Sequence, residues 1–217
     1  MGWKLVPGTG YCETGGQLVF LDLRRDRYFA LAGNDRSAFE RLRSGEPNDS
    51  DAMTRLVATG LLDRCDGLSQ IEPTEVEVPD HDLSAVFGAS FDLAMVVRTG
   101  LALHWARRAM RPNRLAQTFE SLQARRSALG CETDDRAATA VAAGYAANRW
   151  IQRAPPRCLV DALALDHILL SRGHAATFVF GVRTAPFKAH CWLQTASVVL
   201  TGTAAEARNF TPILVIR

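Results

Sequence analysis

The stretch Cys158-Leu-Val-Asp-Ala-Leu-Ala-Leu-Asp-His-Ile-Leu-Leu-Ser-Arg-Gly173 decides the reading of this chain. It follows Ala154-Pro155-Pro156-Arg157, has the length and period of a helix, and is stopped by Gly173. The thiol therefore stands at a helix start. A strand-like segment comes next, and a second strand carries His190-Cys-Trp192. A helix N-terminus has partial positive charge and free N–H groups that favour a thiolate. The same groups can hold the oxyanion formed when a carbonyl is attacked. Cys158 and His190 are thus the candidate nucleophile and base.

Each residue alone has a plainer reading. Positions 158, 162, 165 and 169 share one helix face as Cys, Ala, Leu and Leu, and free cysteine is among the most buried residue types. A lone strand histidine is usually a packed one. The pair gains force because helix-start-to-strand topology lets nucleophile and base meet. Alternation puts His190, Trp192 and Gln194 on one strand face and Cys191 on the other, so Cys191 is not expected to be the nucleophile.

Outward from this stretch, the C-terminal part reads as helices followed by a sheet. Leu83–Met110, Leu115–Leu129 and Asp134–Gln152 have helical period, and strands are expected over Ala175–Val182, Ala189–Thr195, Val198–Leu200 and Phe210–Ile216. The N-terminal part reads as a small winged-helix-like module. Gln17–Leu23 and Arg27–Leu31 are strands, a helix capped by Asn34 or Asp35 runs to Arg43, a second covers Ala52–Thr59, and a short strand follows. The Pro- and acid-rich segment 71–84 reads as a linker between domains 1–70 and 85–217. The expected fold class is α+β.

Charge supports that division. Residues 1–84 hold 9 Lys and Arg against 15 Asp and Glu, whereas residues 85–217 hold 16 against 8. The acidic N-terminal half argues against duplex DNA as its partner. Arg107, Arg108, Arg111 and Arg114 read as a solvated face. Five cysteines without CxxC spacing make neither a disulfide framework nor a zinc site, so no metal is expected. Gly8-Thr-Gly10 and Gly15-Gly16 are isolated turn glycines rather than a phosphate loop. Leu83–Trp105 is broken by Asp92 and Arg98 and is a poor membrane span. The start is no signal peptide, and a reducing cytoplasm suits a free thiol. Twenty-three Arg against two Lys is the usage of a GC-rich bacterial genome.

The residues also carry a family resemblance. Cys158-Leu-x-x-Ala-Leu-Ala-Leu, Leu-x-x-Arg172-Gly173, Phe-x-x-Gly181-Val-Arg183-x-x-Pro186-Phe-x-Ala189-His190-x-Trp192 and Asn209-Phe-Thr-Pro-Ile-Leu-Val215 resemble the lasso-peptide biosynthesis B protein, a transglutaminase-like cysteine protease. Leu21-Asp-Leu, Arg27-Tyr-Phe-x-Leu31 and Leu56-x-x-x-Gly60-Leu-Leu resemble, more softly, its PqqD-like precursor-recognition domain. The resemblance implies a papain/transglutaminase-like domain of helices packed on an antiparallel sheet. It implies a leader peptidase that binds the leader of a precursor peptide and cuts it from the core, for an asparagine-synthetase-like lasso cyclase to close. Cys158 would be nucleophile and His190 base. No cofactor is expected on this chain, ATP belonging to the cyclase.

One departure stands out. Relatives usually carry an Asp about twelve residues after the His, and here Gly202 occupies that place. Thr201, Thr203 or Asp161 are candidate third members, with Gln194 and Glu206 also in reach. Leader recognition would use the strand Arg27–Leu31 as an edge for strand addition. Tyr28, Phe29 and Leu31, with Leu56 and Val57 on the following helix, are the candidate leader-binding residues. Two rival readings remain: a catalytically impaired leader-binding protein that delivers precursor to the cyclase, and a transglutaminase-like acyl transferase.

Overall fold

The computed structural model describes residues 2–85, 91–111, 114–130, 134–152 and 155–217. Chain order begins with β1 (Gly2–Leu5), β2 (Thr9–Thr14), β3 (Gln17–Asp22), β4 (Arg27–Leu31), α1 (Gly33–Ser44), α2 (Ser50–Ala58) and β5 (Leu62–Cys65). Strands β2, β3 and β4 form an antiparallel meander with β3 in the centre, and β1 pairs with β5 in a separate ribbon.

The β3 run Leu18-Val-Phe-Leu21 is apolar at every position because both of its faces are covered. Leu18 and Phe20 join Tyr11, Phe39, Leu42 and Leu56 in a core under α1 and α2. Val19 and Leu21 join Cys12 and Leu23 in the core of the C-terminal half. Strand β2, not anticipated, is explained by Gly15-Gly16. Both residues have positive φ (55° and 72°), as the type I′ turn of a two-residue hairpin requires. The expected Asn34 or Asp35 cap is not there. Helix α1 starts at Gly33, with Ala32, two residues before Asn34, as an N-cap lacking a side-chain bond, and Asp35 instead pairs with Arg55 at 3.0 Å. Asp49 does cap α2, accepting from the Ala52 N–H at 2.6 Å.

The rest comprises β6 (His81–Asp82), a 3-10 turn at Leu83–Ala85, α3 (Leu93–Ala109), α4 (Leu115–Leu129), α5 (Asp135–Arg149), α6 (Cys158–Ser171), β7 (Thr177–Thr184), β8 (Phe187–Gln194), β9 (Val198–Val199), α7 (Ala204–Ala207) and β10 (Thr211–Ile216). The five-stranded sheet has the order β10-β7-β8-β9-β6, with only the β6–β9 pair parallel. Helix α3 begins ten residues later than its apolar run. Asp92, read as an interruption, is its N-cap and accepts from the Ala94 N–H at 2.9 Å. Part of the expected helix, residues 86–90, lies outside the described residues.

Helix α6 lies between α3 and β8 and is apolar on nearly all sides, which is the pattern of a fully covered helix. Its one deep charge, Asp166, is paired with Arg126 of α4, both side chains being almost completely enclosed. Segment 71–84 is strapped to the sheet rather than free. Val76 and Val78 pack on the cluster of Val179, Trp192 and Phe210, and the Gln194 amide donates to the Glu77 carbonyl at 2.7 Å. His81–Asp82 then pairs with β9.

The N-terminal sheet is seated on the C-terminal one through β2 and β10. A Cβ on Gly10 would fall 2.0 Å from the Ile213 carbonyl oxygen, so only glycine permits this approach. Among the described residues, no helix is long and apolar enough to cross a membrane.

Candidate active site

Arg157 is the N-cap of α6, with extended backbone (φ −137°, ψ 120°) and no side-chain cap bond. The Asp161 carboxylate reaches back to its N–H at 2.8 Å. Cys158 is thus the first helical residue, and it is exposed to solvent. Its sulfur opens into a cavity of about 580 Å³ that also reaches His190, Thr201, Gly202 and Glu206. A larger cavity of about 790 Å³, beside Leu23, Phe119 and Leu214, contains no cysteine or histidine; the reactive groups are in the smaller one.

Three groups act on the sulfur. The Cys158 thiol is pushed down to about 4, first by a hydrogen bond from the Cys191 thiol and then by one from His190. The Cys191 N–H and the imidazole charge add to this, and burial opposes it. Cys191 itself is 3% exposed, and burial pushes its thiol well above the usual range, so it stays protonated and donates. The alternation that set Cys191 opposite His190 also turned it toward α6, where Cys158 begins. Its role as donor was missed although that signal was present.

The imidazole is held between rings. Its centroid lies 5.9 Å from that of Trp192 and 5.1 Å from that of Phe210. Gly181, opposite His190 in the ladder, makes room for them; a Cβ there would sit 2.9 Å from both Phe210 and Trp192. Nε2 of His190 is buried and has no hydrogen-bond partner among the described residues. It lies 3.8 Å from the point where a Cβ of residue 202 would be. Nδ1 is therefore the nitrogen that faces Cys158.

The three candidate third members are engaged elsewhere. The Thr201 hydroxyl accepts from the Leu193 N–H at 2.9 Å, and the Thr203 hydroxyl caps α7 by accepting from the Glu206 N–H at 3.1 Å. Asp161 is tied to Tyr145 (2.8 Å), Arg149 and the Arg157 N–H. Burial, followed by the charge of Asp161, pushes the Tyr145 phenol above its ordinary range. Gln194 is occupied as well, its Oε1 accepting from the Trp192 indole at 2.7 Å. All of these residues already carry structural hydrogen bonds, and none of those bonds goes to Nε2.

The candidate leader-binding residues divide. Leu31 and Leu56 are buried in the N-terminal core and offer no surface to a peptide. Phe29 stacks on Phe20 at 5.5 Å and is partly exposed, and Val57 is 40% exposed. Tyr28 points the other way, onto the C-terminal half, with its ring edge-on to Phe187. Strand β4 is an edge of its sheet.

A helix-start cysteine and a strand histidine thus line one cavity, on helices packed over a mostly antiparallel sheet, an arrangement compatible with cysteine-dependent acyl transfer. The family model for the transglutaminase-like superfamily matches residues 95–215, more than half of the chain and the part holding both reactive side chains. This protein belongs to that superfamily, whose domains are compatible with cysteine peptidase or acyl transferase activity. No curated protein and no solved structure matches the chain.

Proposed function

We propose that this protein is a cysteine leader peptidase of lasso-peptide maturation in a bacterial cytoplasm. The observation that carries the reading is the Cys158 thiolate, exposed at the start of α6 and hydrogen-bonded to His190. The Cys158 sulfur attacks the carbonyl at the leader–core junction. The free N–H groups at the α6 start hold the oxyanion. His190 gives its proton to the departing amine of the core, leaving the leader as a thioester on Cys158. Water, deprotonated by His190, then releases the leader acid and restores the thiol pair.

Residues 1–70 act as the PqqD-like recognition module and 85–217 as the peptidase. The leader adds as a strand to the outer edge of β4, with Phe29 and Val57 as apolar contacts. Tyr28 sits where that strand meets the peptidase. The core peptide, once free, passes to an asparagine-synthetase-like cyclase.

The test is incubation of the purified protein with precursor peptide, with and without the cyclase, read by mass spectrometry. Loss of the leader mass, abolished by Cys158→Ala, is the expected result. Ammonia release with a gain of mass would instead assign an acyl transferase. A second reading, a leader-binding protein without turnover, draws on Gly202 and the unpartnered Nε2. Binding without cleavage under both conditions would establish it.

A further inference from the structure

His190 presents a buried ring nitrogen to an empty place. Nε2 has no partner among the described residues, and the residue beside it, Gly202, has no side chain to supply one. Gly202 has positive φ (75°), so the loop between β9 and α7 turns back at this point and brings α7 beneath the ring. The Oε2 atom of Glu206 then lies 3.6 Å from the same position from which Nε2 is 3.8 Å distant. The carboxylate and the orphan nitrogen thus flank one small gap, and both line the cavity that holds Cys158.

We propose that Glu206 is the positioning residue of His190, its carboxylate accepting the Nε2–H hydrogen bond across the space that Gly202 leaves open. This rests on the reading of Cys158 and His190 as the reactive pair. The physical need is specific. While Nδ1 serves the sulfur, Nε2 must carry its proton toward an acceptor, or a buried donor goes unpaired. An acceptor there also holds the ring in the tautomer and plane that face Cys158. Glu206 is the carboxylate nearest that gap, and it is exposed enough to swing. Thr203 fixes its backbone by capping α7, so a side-chain rotation alone closes the contact. There is room for it, since among the described residues, the chain neighbours Thr201 and Thr203 aside, Glu206 and His190 alone come within 4 Å of the vacant Cβ position.

The test uses the full chain with its histidines labelled with nitrogen-15. The His190 signals are identified by their absence in His190→Gln. In the native protein the Nε2–H resonance is expected downfield and slow to exchange, and Glu206→Ala, which leaves no acceptor, abolishes it. Gly202→Asp in the Glu206→Ala background places a carboxylate beside Nε2 and restores it; Asp is among the few residues that tolerate positive φ. In leader cleavage, Glu206→Gln lowers kcat roughly tenfold to a hundredfold with KM within about twofold, less than the roughly 10⁴-fold of the serine template. Glu206→Asp recovers part of the loss. An unchanged Nε2–H signal in Glu206→Ala overturns the proposal, as does an equal loss in kcat and KM without rescue. If the signal responds but no precursor is cut by the native protein, the peptidase reading fails and the positioning role stands.

Discussion

The ring of Tyr28 meets the ring of Phe187 edge-on, with centroids 5.7 Å apart and planes at 65°. Tyr28 belongs to the edge strand of the N-terminal sheet, and Phe187 stands three residues before His190 on β8. Burial is the largest cause pushing the Tyr28 phenol above its ordinary range, and the negative charge of the Cys158 sulfur adds to it. The edge strand of the N-terminal sheet and the strand that carries His190 are therefore joined by an aromatic contact.

Removing that contact should loosen the seating of one sheet on the other. An aromatic pair contributes about 0.5–1.5 kcal/mol beyond its burial, so Tyr28→Ala should cost about 2 kcal/mol in all. For a chain of this size that is a fall in Tm of roughly 4–8 °C by calorimetry. Tyr28→Phe keeps the ring and should lose little. An unchanged Tm in Tyr28→Ala would show that the contact is incidental.

The lowered Cys158 pKa fixes the sign of its pH dependence. Alkylation by iodoacetamide follows the thiolate. With the thiol at about 4, it is expected to rise to half-maximum near pH 4 and stay flat above pH 6. An ordinary cysteine would be under about 1% ionised at pH 6. His190→Ala removes a donor and a charge, so the midpoint should move upward, while Cys191→Ala removes the neutral donor and moves it the same way. A native midpoint above pH 8, measured by stopped alkylation and mass spectrometry, would contradict the hydrogen-bond pattern around the sulfur.

Much of this arrangement is legible in the residues, and the gaps have physical causes. The all-apolar Leu18–Leu21 run and the nearly all-apolar α6 both mark elements covered on every side. Periodicity carries one helix from Leu83 through Asp92, because an acid inside an apolar stretch looks the same whether a helix runs past it or is capped by it. Leu31 and Leu56 were expected in a peptide groove, yet periodicity shows only that a face is apolar, not whether chain or ligand covers it. The acid nearest Nε2 is hidden for a different reason. Its usual place holds a glycine, and the nearest acid arrives from α7 through a turn whose direction depends on one positive φ.

Gly181 offers a test of how firmly the imidazole is held. A methyl at this position would sit 2.9 Å from the Phe210 Cβ and the Trp192 ring, closer than real Cβ contacts allow. Because those rings flank His190, Gly181→Ala should displace the imidazole as well as strain the sheet. Overpacking of this kind costs about 1–3 kcal/mol. Circular dichroism should therefore show a lower Tm, and Cys158 alkylation at pH 6 should slow. Retention of full reactivity would mean that the rings do not set the position of His190.

The Arg126–Asp166 pair predicts a non-additive response. Both side chains are at most 2% exposed, and Arg126 also donates to the Ala176 carbonyl at 3.2 Å, tying α4 to α6 and to the entry of β7. Removing one partner leaves the other charged in an apolar interior, a loss of about 3–5 kcal/mol. Replacing both with apolar groups of similar size removes the desolvation cost along with the attraction. Asp166→Leu and Arg126→Met should each lower the denaturant midpoint strongly, and the double variant should be closer to native than either. Since α6 carries Cys158 at its other end, the single variants should also slow Cys158 alkylation through loss of the fold, in proportion to the unfolded fraction. Additive losses in the double variant would mean that the two side chains stabilise the helices independently, by packing rather than by pairing.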